Sequence, residues 1–173
     1  MNTCTKEIIL TNETVLTEDL IQKAEDAGAC HEALTWLRAQ PRTWGELKWK
    51  HSDWAAWIIV HHKDCPVDLE GLSPHIRAWI MVKRIDYPVN LTGLSSEDRA
   101  WVMIKRQDCP VNLEGLEPHI RARIMAYRKD CPIDLEGLPP EDRAWVMVKR
   151  QDCPVDLTGL SSADRAMVMA FRP

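Results

Sequence analysis

A 22-residue repeat leaves this chain few folds to adopt. The first unit reads D-C-P-V-D-L-E-G-L-S-P-H-I-R-A-W-I-M-V-K-R-I, and the later four keep the Pro, the L-x-G-L, the R-A, the Met and the second Arg. A unit this small cannot bury its own apolar face, so neighbouring units must stack and share one core. The period therefore predicts a solenoid. Five units begin at an Asp that is followed two residues later by Pro: Asp64, Asp86, Asp108, Asp130 and Asp152.

The second half of every unit predicts an α-helix of about ten residues. Ser73 stands at the N-cap with Pro74 in the first helical position, and in the next unit Ser95 precedes acidic residues in the first turn. Each helix must end before the Pro of the following unit, because proline offers no amide donor and restricts the residue before it.

The first half of each unit, such as Pro66 to Leu72, is too short for a second helix. Val67 and Leu69 alternate with polar residues, and Gly71 is expected to take a positive φ angle in the turn that leads into the helix. A short strand and a single 3₁₀ turn both fit this segment.

The chain is predicted to form an N-terminal helical cap over residues 1–50, packed on a repeat solenoid over residues 51–173. The cap should contain three helices: Glu18 to Ala27, Cys30 to Gln40, and a short one from Thr43 with Glu46 three residues later. Residues 52–63 align with the helical half of the repeat and predict a degenerate helix. The complete units are 64–85, 86–107, 108–129, 130–151 and 152–173.

The helix-plus-short-segment unit, with its DxP corner and its D-R-A-W-V-M helix, resembles the leucine-rich repeat variant class of solenoids over residues 64–173. The resemblance implies a mainly α, right-handed solenoid in which each unit supplies one helix and a short extended or 3₁₀ segment. In that class the known roles are mostly unassigned or binding.

The charge balance argues against a general nucleic-acid binder, which needs one strongly basic face. The chain has 22 basic and 26 acidic residues and a formal net charge of −4. No apolar run approaches the roughly 20 residues that cross a bilayer, and Met1 to Leu10 lack the basic-then-apolar order of a signal peptide. These features favour a cytoplasmic protein that does not enter a membrane.

At about 100° per residue, the helix of the second unit has distinct faces. Ala100 and Met103 recur in every unit on one side, which is predicted to face the shared core. Asp98 and Lys105 lie roughly opposite and should contact solvent. Trp101 lies on one flank, and two recurring arginines lie on the other.

Ten recurring arginines admit two interpretations. In the structural one, each contacts the Trp ring or the corner Asp of an adjacent unit. In the functional one, they form a basic ladder for phosphate or for an acidic protein, although interleaved acids such as Asp98, Asp142 and Asp164 weaken that ladder. The ten are Arg77, Arg84, Arg99, Arg106, Arg121, Arg128, Arg143, Arg150, Arg165 and Arg172.

Neither a disulfide nor a metal site is expected. Stacked helices lie about 8 to 10 Å apart, beyond the Cα separation that a disulfide allows, and Tyr87 takes the Cys place in the second unit. A β ladder of short segments would bring the units closer and make a bridge sterically feasible. Free thiols in a reducing compartment are the prediction for Cys65, Cys109, Cys131 and Cys153.

No motif for catalysis or for a cofactor is present. His61 and His62 are adjacent on a helix and diverge by about 100°, so they are poor joint metal ligands. The chain contains no Gly-rich phosphate loop, H-E-x-x-H or G-x-S-x-G. We therefore expect no metal, no cofactor and no enzymatic activity.

The partner-binding residues are best sought where the units differ, because the recurring positions serve the fold. Arg123 and Tyr127 replace Trp and Lys in the third unit, and Met167 and Phe171 do so in the fifth. The Trp residues of the same column complete this candidate set: Trp79, Trp101 and Trp145. In the cap, a second group serves either as contact residues or as a compact core: Trp36, Trp44, Trp49, Trp54 and Trp57.

The last helix carries Met167, Val168, Met169 and Phe171 with no further unit after it in this sequence. Apolar side chains there would face solvent, and such a patch usually marks an interface. Two chains are expected to meet there end to end about a two-fold axis, or a different partner to dock there; in the alternative, Phe171 folds back over the end.

Taken together, these features predict a protein-binding solenoid whose partner is another protein. It would act as a scaffold or as an inhibitor that occludes a larger protein. The alternative is a nucleic-acid binder that uses the Arg columns, and the third possibility is an enzyme whose site the motifs do not reveal.

Overall fold

The computed structural model describes residues 11–61 and 69–172, and these residues are mainly α-helical as predicted. Most of the regular structure is a series of short helices that follow the repeat. The right-handed sense of the solenoid stays a prediction. Within the described residues the helices are α1 (Glu18–Asp26), α2 (His31–Arg38), α3 (Trp44–Lys50), α4 (Ser52–His61), α5 (Pro74–Lys83), α6 (Ser96–Lys105), α7 (Pro118–Tyr127), α8 (Pro140–Lys149) and α9 (Ser162–Phe171).

The chain divides into two compact units, Met1–Asn90 and Leu91–Pro173. The first contains α1 to α5, and the second contains α6 to α9. The predicted division between a cap and a solenoid after residue 50 stays a prediction.

In the first unit, α1 packs on α2, α3 packs on α4, and α4 packs on α5. The predicted capping box is confirmed at α3, where the Thr43 hydroxyl accepts from the Glu46 amide and the Glu46 carboxylate accepts from the Thr43 amide. The first two helices are shorter than predicted by one to three residues. α1 ends at Asp26 rather than Ala27, and α2 spans His31–Arg38 rather than Cys30 to Gln40. The last two residues of the predicted degenerate helix, 62 and 63, lie outside the described residues.

In the second unit, each helix packs on the next one along the chain, from α6 to α9. Ser95 and Ser161 cap α6 and α9, since each hydroxyl accepts from the backbone amide three residues later at 3.1 Å. Pro118 and Pro140 occupy first-turn positions that need no amide donor. These local preferences fix where each helix starts, as the repeat predicts.

The short segment of each repeat forms a tight turn. The Leu116 amide donates to the Leu113 carbonyl at 3.3 Å, and Gly115 between them has a φ of +68°. Within the described ranges these segments form neither a strand nor a 3₁₀ helix, so both expectations for this segment are corrected. The segment adopts a turn because its third residue is a glycine, which readily takes a positive φ. That conformation reverses the chain within four residues.

None of the helices in the described ranges is both long and apolar enough to cross a membrane.

Candidate partner-binding surface

The repeat places like side chains in columns, and the predicted core column is confirmed in α5 to α8, whereas in α9 its members Ala166 and Met169 are exposed. Ala100 and Met103 are fully buried, as are their equivalents in α7 and α8. Lys105 is exposed as expected, whereas Asp98 is half-buried and accepts a hydrogen bond from the Ser95 hydroxyl at 2.8 Å. The helices α6, α7 and α8 therefore turn the same face toward their shared core.

An arginine directly follows each helix from α5 to α9; it is buried after α5 to α8 and half-buried after α9. In the second unit Arg128 is only 1% exposed. Its Nη1 donates to the carbonyl oxygens of Met103 and Arg106, and its Nη2 donates to that of Cys109 at 3.0 Å. All three carbonyls belong to the preceding helix end or corner, where backbone acceptors lack helical partners. The other buried members of this column are Arg84, Arg106 and Arg150.

The same guanidinium also pairs with the Asp that opens the next repeat. Nε and Nη2 of Arg128 donate to the two carboxylate oxygens of Asp130 at 2.7 and 2.6 Å. These hydrogen bonds lower the pKa of Asp130 from its usual 3.8 to about 2. The corner is a bidentate ion pair, which confirms the structural interpretation for this column. The same pair recurs at Arg84–Asp86, Arg106–Asp108 and Arg150–Asp152.

The arginines in the middle of the helices point the other way along the stack. Nη2 of Arg121 donates to the Glu136 carbonyl at 3.5 Å, and Nη2 of Arg143 donates to the Thr158 carbonyl at 2.9 Å. Both acceptors lie in the turn of the following repeat. A repeat in the interior of the second unit is thus joined to the repeats on both sides by hydrogen bonds from arginine side chains.

Sulfur atoms also make hydrogen bonds at the repeats: the methionine sulfur bonds across a boundary, and the cysteine sulfur bonds within its own corner. The Met125 Sδ accepts from the backbone amide of Asp134 at 3.3 Å, and the Cys131 Sγ donates to the Pro132 carbonyl at 3.4 Å. Burial raises the pKa of the Cys131 thiol. Three predicted free thiols are confirmed, at Cys109, Cys131 and Cys153, while Cys65 lies outside the described residues.

Two predicted partner-binding residues contact neighbouring helices of the second unit. Arg123 is half-buried, and its Nη1 lies 2.8 Å from the Glu97 carboxylate. Tyr127 is 53% exposed, and its ring stands at a steep angle on Trp145 with 5.6 Å between ring centres. We call the half-exposed column on α6 to α8, with the tyrosine beside it, the Trp–Arg face: Trp101, Arg123, Trp145 and Tyr127.

Trp79 belongs to the first unit. It is half-buried and lines a shallow groove between α4 and α5 together with Asp53, Ala56, His75 and Ile76. Its candidate role is therefore separate from that of the Trp–Arg face.

The last two candidates, Met167 and Phe171, lie on α9. Met167 is half-buried and Phe171 is 63% exposed, so Phe171 does not cover the end of the stack as one expectation held. Met169 is 60% exposed, although its counterparts Met103, Met125 and Met147 are fully buried. The side of α9 that is equivalent to a repeat boundary is open in this structure.

The tryptophans between residues 36 and 57 divide between the core and the surface of the first unit. Trp44 is buried, and Trp36 makes an edge contact with Trp54 at 6.1 Å between ring centres, with the Arg42 guanidinium over the Trp36 ring. Trp49 is 83% exposed. A compact Trp-packed core describes the first group, and Trp49 remains a contact candidate.

Between residues 11 and 61 and between residues 69 and 172, no three His, Cys, Asp or Glu side chains are placed to hold a metal ion. His61 stacks on Trp57 with ring centres 4.2 Å apart, and His62 lies outside the described residues.

Sequence reasoning missed Glu97, which holds Arg123 in place. His119 also approaches the Glu97 carboxylate, at 3.5 Å. The pattern that would have revealed this contact is a column at the second position of the helices, where acids and histidines alternate: Asp53, His75, Glu97, His119 and Glu141.

Comparison of the chain with protein-family models, with curated proteins and with solved structures finds no match. The proposals that follow therefore rest on the residues and geometry of this chain.

Proposed function

We propose that this protein binds another protein through the Trp–Arg face, and that it acts as a scaffold or as an inhibitor that occludes a larger partner. The observation that carries the proposal is the partial exposure of Trp101, Arg123 and Trp145 beside the exposed Tyr127. Trp, Tyr and Arg are the residues most enriched among those that dominate binding energy at protein interfaces.

Rigidity supports this choice of surface. Arg123 is held by Glu97, and Tyr127 is held against Trp145, so these side chains lose little conformational freedom when a partner covers them. Ordering a long side chain at an interface otherwise costs about 0.5 to 1.5 kcal/mol.

The nucleic-acid alternative requires exposed arginines that reach phosphates. In the second unit Arg106, Arg128 and Arg150 are buried and bound to Asp carboxylates. Arg121 and Arg143 donate to backbone carbonyls of the next repeat. These contacts favour protein binding over the basic ladder.

Two further parts of the interpretation belong to the same proposal. The 22-residue unit of one helix and one turn supports membership of a class like the leucine-rich repeat variants, and the free buried thiols support a reducing, cytoplasmic compartment.

A pulldown from lysate, with and without nuclease, tests the proposed function. The tagged chain should retain a protein partner after nuclease treatment. Arg123→Glu should lose it, because the variant breaks the pair with Glu97 and reverses the charge on the face. Lys129→Glu is the matched control, since it makes the same charge change at an exposed position of a corner.

Loss of every partner after nuclease treatment would support the nucleic-acid alternative instead. Equal retention by Arg123→Glu and Lys129→Glu, with unchanged melting temperatures, would show that the partner binds elsewhere.

A further inference from the structure

We propose that the groove between α4 and α5 binds an arginine side chain that a second protein presents. The groove belongs to the first unit, whereas the Trp–Arg face belongs to the second, so this site does not depend on the function proposed for that face. A carboxylate, two apolar side chains, an imidazole and an indole line the groove: Asp53, Ala56, His75, Ile76 and Trp79.

The groove has the size of a site for one side chain. Its volume is about 190 Å³, below the roughly 300 to 1,000 Å³ of pockets that bind small-molecule ligands. Ala56 and Ile76 line it with apolar atoms, while the Asp53 carboxylate is exposed and the Trp79 indole is half-buried. A matching side chain therefore carries a charge at the end of a hydrocarbon stem.

Two of the lining groups lack the partners that would satisfy them. Within residues 11–61 and 69–172, no donor bonds to the Asp53 carboxylate, and neither a cation nor a second ring contacts the Trp79 indole. A carboxylate and the face of an indole both attract cations. The guanidinium of arginine suits the pair best, because it can donate to a carboxylate and stack on a ring at the same time.

The second unit contains the same arrangement with a guanidinium already in place. Nη1 of Arg123 lies 2.8 Å from the Glu97 carboxylate, and His119 approaches that carboxylate at 3.5 Å. Two repeats of 22 residues separate each groove residue from its equivalent at the boundary between α6 and α7. The five equivalents, in the order of the groove residues above, are Glu97, Ala100, His119, Ile120 and Arg123.

This correspondence identifies what the groove between α4 and α5 lacks. The acid, the imidazole and both apolar side chains are kept, but Trp79 stands where α7 carries Arg123. An arginine from a partner would supply the missing charge to Asp53 and would stack on the Trp79 indole, with its methylene groups on Ile76. His75 does not exclude the cation, because its equivalent shares a carboxylate with arginine in the second unit.

The test follows the NMR signals of the full, isotope-labelled chain during titration with Nα-acetyl-arginine amide. Saturable shifts should appear at the Trp79 indole and at the backbone amides of Asp53 and His75. Nα-acetyl-citrulline amide is the matched probe, since it keeps the shape of arginine without the charge. It should bind at least about tenfold more weakly. The Trp79→Phe variant identifies the indole signal.

Asp53→Asn should weaken binding of the arginine probe by about tenfold, because the neutral amide no longer forms the charged pair. Glu141→Gln is the matched control: it removes one carboxylate from the same position of α8 and should leave binding unchanged. Nα-acetyl-lysine amide should bind at least about threefold more weakly than the arginine probe, since an ammonium has no planar face to stack on the indole.

Trp79→Arg tests the correspondence between the two boundaries. The variant supplies a guanidinium from α5 itself, so the arginine probe should no longer shift the amides of Asp53 and His75. Undiminished binding by Trp79→Arg would overturn the proposal, as would equal binding by the Asp53→Asn and Glu141→Gln chains. Equal affinities of the wild type for the arginine and citrulline probes, or the absence of saturable shifts at these residues, would refute a guanidinium site without any variant.

Discussion

At the scale of single residues, the two arginine columns show how position in a helix decides the environment of a side chain. Arg99 and Arg106 lie seven residues apart, which on a continuous helix would place them on one line. Arg106 is the C-cap of α6, with φ −105° and ψ +105°, so the chain has already left the helix there. Its side chain turns inward and is buried, whereas Arg99 stays half-buried.

Removing a buried arginine of this column should be strongly destabilising. Arg128→Ala leaves four backbone carbonyls and the Asp130 carboxylate without this donor, so the free energy of unfolding should fall by about 3 kcal/mol or more. Arg128→Lys should recover only part of this loss. Urea denaturation measures both.

The adjacent Lys129→Ala is the control for this series, because its side chain is exposed and the change should stay within about 0.5 kcal/mol. An Arg128→Ala chain as stable as Lys129→Ala would contradict the role assigned to the buried column.

The corner aspartates should make the fold sensitive to acid. The pKa of Asp130 is about 2 in the folded chain against a usual 3.8, because Arg128 donates to its carboxylate. The ionised form is therefore favoured by folding, and its contribution is present above about pH 4 and lost as the pH falls toward 2. Asp108 and Asp152 share this shift, so the losses should occur over the same range.

Comparison with Asp130→Asn isolates this effect. The difference in free energy of unfolding between the wild type and the variant should be largest above about pH 4 and should shrink as the pH approaches 2. A difference that stays constant from pH 5 to pH 2 would show that the carboxylate charge of Asp130 does not stabilise the fold.

At the scale of helices and turns, local chemistry made most of the repeat predictable. Ser95 and Pro118 mark helix starts, and Ala100 and Met103 follow the helical period into the core. The end of α2 was less predictable, because Pro41 sets only the latest place where that helix can stop. These features depend on residues close in the chain.

Contacts between distant residues could not be predicted in the same way. Arg128 donates a hydrogen bond to the carbonyl of Arg106, which lies 22 residues earlier in the chain. The sequence marks Arg128 as a recurring donor but does not show which carbonyl accepts from it. The candidate site was predictable as a column, because Arg123 and Tyr127 visibly break the repeat. The ion pair between Glu97 and Arg123 could not be predicted, because it depends on how α7 packs on α6.

The turn glycines allow the energetic cost of a positive φ to be measured separately from side-chain clashes. Gly115 has a φ of +68°, and a Cβ added there would meet nothing within 4 Å. Gly115→Ala should therefore lower the free energy of unfolding through backbone strain alone, by about 1 to 2 kcal/mol. Gly115→Asn should lose less, because asparagine tolerates this region better. Denaturant unfolding of the two variants measures the difference, and equal stability of Gly115→Ala and wild type would contradict the assigned turn.

At the scale of the whole molecule, the second unit behaves as a linear array. Interior helices such as α8 pack on a helix at each side, whereas α9 packs on α8. In such an array, stability is approximately a sum over repeats and over the boundaries between neighbours. Opening should therefore begin at the repeat with fewest boundaries, and α9 should separate before α8 does.

Thiol alkylation of the native chain can detect this order. Among the cysteines in residues 11–61 and 69–172, Cys30 is exposed and should react first. Cys153 should follow, because release of α9 withdraws Arg172, whose Nη2 donates to the Cys153 carbonyl at 2.6 Å. Cys131 is held by Arg150 across the previous boundary and should react at least about tenfold more slowly, since its exposure requires a second boundary to open.

The order of reaction should come from opening rather than from differences in thiol acidity, because burial raises the pKa of both Cys131 and Cys153. Arg172→Ala provides the control: it should accelerate alkylation of Cys153 and leave that of Cys131 nearly unchanged. Mass spectrometry of the alkylated peptides reads out each thiol separately. Equal rates at Cys131 and Cys153 would mean that the second unit opens only as a whole, and a pair that resists alkylation after denaturation without reductant would reveal a disulfide.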